Sequence, residues 1–249
     1  MKKLCWRILA VVFWLLLWQT AAMAVNQRIL LVSPLETLQA LFSLLQTAAF
    51  YQSVAGSLLR ILAGFFAGLV LGVGLAALAK ICMPLREMLF PVMSAVKATP
   101  VASFVILALI WIPSKNLSIF MAFLMVLPLI YSNFLEGLNR ADAQLLEMAK
   151  VFRMSAFNRI RGIYWPAAFP YLLTAMRLSL GMCWKAGIAA EVIAQPKNSI
   201  GSALHRAKVF FSTPELFAWT LAIILLSVTL EKCMLHLVNR LGRGLENAR

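Results

Sequence analysis

Residues 58–79 read LLRILAGFFAGLVLGVGLAALA, an apolar run of 22 positions interrupted by a single charge, Arg60. A helix rises about 1.5 Å per residue, so about 20 such residues cross a hydrocarbon core of about 30 Å. The run is therefore read as a membrane-spanning helix. Working outward, five more apolar runs follow the same logic: Ile8 to Val25, Met88 to Ile112, Leu117 to Leu135, Ala167 to Ile193 and Leu216 to Val238. The runs are continuous rather than alternating. In lipid only helices and closed barrels satisfy their backbone polar groups, so the expected fold is an all-α integral membrane protein with six transmembrane helices, not a porin-type barrel.

Composition agrees. Of 249 residues 62% are hydrophobic and 13% charged, which excludes an ordinary soluble enzyme. The net charge of +14 would suggest nucleic acid in a soluble protein. Here it suggests basic cytoplasmic loops, and no nucleic-acid partner is expected. Fourteen Lys and Arg fall on one side of the six runs, among them Lys2, Lys3, Arg7, Lys80, Arg86, Lys232, Arg240, Arg243 and Arg249, against six on the other: Arg28, Arg60, Lys115, Lys197, Arg206 and Lys208. The positive-inside rule then puts both termini in the cytoplasm. The first run ends in Ala22-Met23-Ala24, which resembles a signal-peptidase site, so cleavage is an alternative to its retention as a span. Cys5, Cys82, Cys183 and Cys233 form no CxxC pair and are read as small apolar fillers. His205 and His236 stand alone, so no metal or acid–base site is expected, and no GxxxxGK[ST] loop is present to cradle ATP.

Three features bear on function. Gly64, Gly68 and Gly72 recur at i, i+4, i+8 and make a flat groove for another helix, from the same chain or from a second subunit. Leu35 to Tyr51 mixes polar residues with leucines at helical spacing and is expected as a short helix on the outer surface. Between the fourth and fifth runs, residues 136–166 form the longest polar loop. There Asp142 can cap a helix through Phe152, with Leu145, Leu146, Ala149 and Phe152 on one stripe, and Met154-Ser155-Ala156-Phe157 begins a second short helix that Pro166 is expected to stop. A knob with an exposed apolar stripe calls for a partner.

The residues of that loop carry a resemblance. Glu147-Met148-Ala149, Ala156-Phe157-Asn158-Arg159-Ile160 and Ile163-Tyr164-Trp165-Pro166-Ala167-Ala168-Phe169-Pro170-Tyr171 resemble the Glu-Ala-Ala loop of permease subunits of bacterial binding-protein-dependent ABC importers. Leu138-Asn139-Arg140-Ala141-Asp142, Met176-Arg177-Leu178-Ser179-Leu180-Gly181, Ala189-Ala190-Glu191-Val192-Ile193-Ala194 and Ser57-Leu58-Leu59-Arg60-Ile61-Leu62 look like the nitrate, sulfonate and taurine branch. The resemblance covers residue 30 to the C-terminus. It implies a single transmembrane permease domain over 1–249, in a bacterial inner membrane, with a coupling helix that docks on a separate ATPase subunit. Glu147, Met148, Ala149, Arg153, Met154, Ser155, Ala156, Phe157 and Pro166 would form that contact. It further implies a second permease copy in a homodimer, an extracytoplasmic solute-binding protein, and ATP with Mg on the partner subunit and no cofactor on this chain. The sequence departs from the family pattern at Met148, at Arg153 where glycine is usual, and at Trp165. Arginine would strain the left-handed turn that glycine permits.

Charges inside apolar runs cost about 2.5–3.5 kcal/mol at a helix centre, so Lys97, Arg177, Lys185 and Glu191 need partners, water or an interface. Lys185 either snorkels or pairs with an acid, or else lines a path for an anion; Arg177 and Glu191 are grouped with it as path or gating candidates. A small anionic solute such as a sulfonate, nitrate or taurine is the expected cargo, with carboxylates and heteroaromatic precursors also compatible. Two rival classes remain, a self-sufficient secondary transporter and a non-transporting membrane scaffold or membrane-embedded enzyme.

Overall fold

The computed structural model describes residues 2–25, 27 and 29–246, and for 2–5, 235 and 237–246 the backbone only. The basic residues Lys2, Lys3, Arg28, Arg240, Arg243 and Arg249, and Cys5, lie outside the residues whose side chains are described. Every described element is helical: α1 Lys2–Val25, α2 Pro34–Leu45, α3 Ala48–Ile81, α4 Met83–Ala98, α5 Val101–Ala108, α6 Ser114–Asn139, α7 Ala143–Val151, α8 Ala156–Arg159, a π-helical turn Ile160–Tyr164, α9 Trp165–Ala194, α10 Ile200–Val209 and α11 Thr213–Glu246.

The centre of the bundle is α6, held between α3 and α9. What lets α3 approach so closely is its glycines. A Cβ on Gly64 would stand 2.2 Å from the Ile119 carbonyl oxygen, one on Gly68 2.8 Å from Val126 Cβ, and one on Gly72 2.9 Å from Ile130 Cβ. No side chain fits at those positions, so the two backbones come together as small-residue motifs allow. Phe65, Ile61, Val126 and Ile130 then close the seam, all 1% exposed or less.

Among the described residues four helices are long and apolar enough to cross a membrane: the stretches Trp6–Val25, Ala48–Ile81, Ser114–Asn139 and Thr213–Met234. A fifth is counted if α4 and α5 form one span, but these two are bent by 104° at Thr99-Pro100. The expected continuous helix over 88–112 is therefore corrected to two helices. Pro100 has no N–H to give, and its ring drives Thr99 out of the helical region, to ψ 131°. α9 has the length, 30 residues, yet Arg177, Lys185 and Glu191 keep it out of the apolar set.

Helix ends also move. α3 starts ten residues ahead of the apolar run, because Gln52, Ser53 and Ser57 interrupt hydropathy without interrupting a helix, and Thr47 caps it by accepting from the Phe50 N–H. The expected surface helix over 35–51 is thus divided: α2, opened by a Ser33–Glu36 capping box, stops at Leu45, and residues 48–51 are the first turn of α3. α1 is almost wholly exposed and touches the bundle near Trp18, whose Nε1 donates to the Val32 carbonyl at 3.0 Å and whose ring stacks on Phe217.

Candidate functional site

The loop between α6 and α9 folds into two capped turns. Asp142 accepts from the Gln144 N–H at 2.8 Å and starts α7; Ser155 accepts from the Asn158 N–H and starts α8. Between them the chain reverses at Arg153, whose φ is 48°. Met154 N–H donates to the Ala149 carbonyl at 2.9 Å and Arg153 N–H to the Lys150 carbonyl at 3.1 Å, the bond pair of a Schellman motif. Arginine thus adopts the left-handed turn in spite of its side chain.

Pro166 does not end the second helix, contrary to the sequence expectation. It occupies the first turn of α9, and the π-helical turn ahead of it carries the chain from α8 into α9 without a break. The wider turn is where a missing proline N–H is most easily accommodated, with Trp165 N–H reaching back to the Ile160 carbonyl instead. The result is rigidly based. Lys80 Nζ at the end of α3 donates to Asn139 Oδ1 at 2.9 Å and lies 5.9 Å from the Tyr164 ring, and Trp165 packs edge-on against Phe134 of α6. The sequence marked Lys80 only as a basic residue and Asn139 and Tyr164 only as parts of the resembling motifs; that the three meet carries no signal along the chain.

Outward from this base the knob is apolar and unsheltered. Met148, Val151, Phe152, Phe157 and Ile160 are exposed, with Phe152 at 74%, while Ala149 is buried beneath them. Glu147, Arg153, Ser155 and Ala156 are exposed around this surface and Met154 is half-buried.

The charges of α9 separate into two kinds. Glu191 is fully buried, and its carboxylate accepts from Ser57 Oγ, from Arg60 Nε at 3.1 Å and from the Gly201 N–H at 3.4 Å. Ser57 Oγ in turn accepts from the Ile200 N–H at 2.9 Å, and Arg60 Nη2 donates to the Asn198 carbonyl at 2.8 Å. α3, α9 and the start of α10 are thereby tied in one polar knot. A signal for the pair existed in the sequence: Arg60 is third from one end of its apolar run and Glu191 third from the end of its own, at equal depth if the runs are antiparallel. Arg177 and Lys185 lie elsewhere, on an exposed stripe of α9 with Thr174, Leu178, Met182, Ala189 and Ile193. Lys185 has no hydrogen-bond or ion-pair partner among the described residues. Lys97, at the end of α4, donates to Ser132 Oγ at 2.7 Å. Among the described residues no group of three or more His, Cys, Asp or Glu could hold a metal ion.

Comparison with known proteins adds three findings. Residues 64–247 match the profile of the family described as "Binding-protein-dependent transport system inner membrane component". Among curated proteins the chain is similar to the bicarbonate transport system permease protein CmpB of Synechococcus elongatus, 29% identical over 63% of this chain and 56% of that protein. It is also similar to the taurine transport system permease protein TauC of Escherichia coli, 24% identical over 90% of this chain and 83% of that one, and to the putative aliphatic sulfonates transport permease protein SsuC of Bacillus subtilis, 28% identical over 65% and 59%. The matched stretch thus spans just over half the length of the first of these relatives. Among solved structures, a chain described as "Crystal structure of an amino acid ABC transporter with histidines" superimposes with a TM-score of 0.59 at 16% identity, over 77% of this chain and 93% of that one, a likeness of fold.

Proposed function

Because the chain belongs to the family of binding-protein-dependent transport system inner membrane components, we propose that it is the permease subunit of an ATP-driven importer that moves a small anionic solute into the cytoplasm. The observation that carries this reading is the knob: an apolar, solvent-facing pair of capped turns built on the ends of α3, α6 and α9. A multi-pass protein without a nucleotide loop of its own needs such a surface to receive work from an ATPase. Glu147, Met148, Arg153, Met154, Ser155, Ala156 and Phe157 form the docking face, with Ala149 buried under it as support, and Pro166 lies where the knob joins α9. ATP and Mg are held by the partner. Its closure draws two knobs together and biases the permease pair toward one of its two states.

In this reading α1, α3, the bent α4–α5 pair, α6, α9 and α11 are six crossing segments in a bacterial inner membrane, with both termini in the cytoplasm. α9 can cross because its exposed stripe faces a second copy of the chain and water, not lipid; Arg177 and Lys185 belong at that interface. Lys185 then supplies positive charge to the path, which suits bicarbonate or a sulfonate, the cargoes named for related permeases. An extracytoplasmic binding protein delivers the solute. A secondary transporter or a scaffold would leave the knob without a role.

The test is purification of the chain from its native membrane in mild detergent, as wild type and as Glu147→Arg. A P-loop ATPase is expected with the wild type and not with the variant. If no ATPase accompanies either and both are equally stable, the importer reading is wrong. Lys185→Met should lower uptake while leaving ATPase association intact; unchanged uptake would remove Lys185 from the path.

A further inference from the structure

At the end of the bundle opposite the knob, α2 and α10 lie against the first turns of α3 and α11 and enclose an open cleft of about 330 Å³. That volume is within the range of small-molecule sites, about 300–1,000 Å³. Its walls are aromatic and apolar. Phe50 and Trp219 stack at 5.1 Å on one side, and Phe210 stands at the rim, 76% exposed. Two opposite charges, Arg206 and Glu215, line the same cleft.

Each charge alone has an ordinary explanation. Arg206 is in the last turn of α10 and Glu215 in the first turn of α11, where the helix dipoles favour them. The dipoles do not explain why both line one aromatic cleft and yet form no ion pair with each other. An Arg and a Glu that line one cavity without pairing match a ligand that carries an anion and a cation. The depth of the cleft says what kind of ligand. Glu215 immediately precedes the apolar run of α11, which opens at Leu216, so the cleft lies where that span begins, at the boundary between hydrocarbon and water, with the first turns of α3 beside it. Phe210 and Phe211 sit at the same level. Phe211 is held at φ 52° by a Schellman turn in which Ser212 N–H donates to the Ala207 carbonyl at 2.9 Å. A phenylalanine in the left-handed region is strained, and such strain accompanies functional surfaces.

We propose that this cleft binds a zwitterionic membrane phospholipid of the phosphatidylethanolamine type. The guanidinium of Arg206 takes the phosphate and the Glu215 carboxylate takes the ammonium, while Phe50, Trp219 and Phe210 cover the glycerol and the upper acyl chain. The site depends on the chain being embedded in a membrane and not on the importer reading, so it stands or falls separately from ATPase association.

The experiment is native mass spectrometry of the full-length protein in detergent, titrated with dioctanoyl phosphatidylethanolamine, with dioctanoyl phosphatidylglycerol, and with soluble phosphoethanolamine. One ethanolamine lipid per chain is expected to persist after delipidation. Arg206→Gln and Glu215→Gln should each weaken it by about tenfold or more, as expected for loss of a charge-assisted contact. The glycerol lipid, which has the phosphate but no ammonium, should bind more weakly and be insensitive to Glu215→Gln; phosphoethanolamine, which has no chains, should not compete. Ala49→Trp fills the cleft from an exposed position and should abolish retention with the unfolding midpoint in lipid-free detergent unchanged, so binding to the cleft can be decided even if a charge variant fails to fold. The proposal is overturned if phosphatidylglycerol binds as tightly as the ethanolamine lipid, if phosphoethanolamine competes, if retention survives Ala49→Trp, or if a photo-reactive residue at Phe210 captures only a protein segment.

Discussion

Arg153 shows what a single residue can conceal. Its φ of 48° lies where side chains are disfavoured by about 1–2 kcal/mol, and it is tolerated because the two Schellman bonds around it close the end of α7. Arg153→Gly should therefore raise the unfolding free energy by about 1 kcal/mol in a detergent melt. A fall would show that the arginine side chain contributes more than its backbone costs. At Glu191 the expected sign is opposite. The carboxylate is fully buried against Arg60, itself 18% exposed, and removing one member of such a pair strands the other. Glu191→Gln or Arg60→Met alone should cost about 3–5 kcal/mol, whereas the joint change to apolar residues should recover a large part of that loss. Additive losses in that double-mutant cycle would mean that the two residues are not coupled. Both charges were visible in the sequence, and their equal depth was a usable signal; the N–H groups of Ile200 and Gly201 were not, because the loop after α9 brings them in.

Helices behave according to what they meet. The glycine spacing of α3 announced a groove, but its occupant, α6, is known only from the packed bundle. Gly64→Ala should place a methyl against the Ile119 carbonyl oxygen and separate the two helices, costing about 1–3 kcal/mol. Gly74→Ala, which has nothing within 4 Å, should instead stabilise α3 by about 1 kcal/mol through helix propensity. Equal effects of the two changes on the melting point would refute the groove argument. Prolines divide in the same way. Pro100 coincides with a bend of 104° between α4 and α5, whereas Pro166 is absorbed at a helix start by a π-helical turn. Hydropathy registers neither outcome.

For the whole molecule the decisive feature is the stripe of α9 that stays exposed among the described residues. A span with Arg177 and Lys185 on its open face cannot sit in hydrocarbon at low cost. A cysteine at position 185, in a background free of the native cysteines, should react with a membrane-impermeant maleimide. One at Leu225, exposed on the apolar helix α11, should not. Equal protection at both positions would put α9's face in lipid and remove the water-lined interface. The polar residues of α9 lower its hydropathy, which is why among the described residues four or five helices are apolar enough to cross where six runs were read in the sequence.

What the amino-acid sequence determined by itself is the class of molecule and where its knob lies. Apolar run length and local capping at Asp142 and Ser155 act over short distances along the chain and are legible residue by residue. What only the tertiary structure decided is whatever depends on two distant segments meeting. Examples are the α3–α6 contact, the Arg60–Glu191 knot, the bend at Pro100 and the cleft between α2, α10, α3 and α11. Each rests on a close approach or a charge pairing whose energy is set by the partner's position, and no single stretch of sequence carries that position.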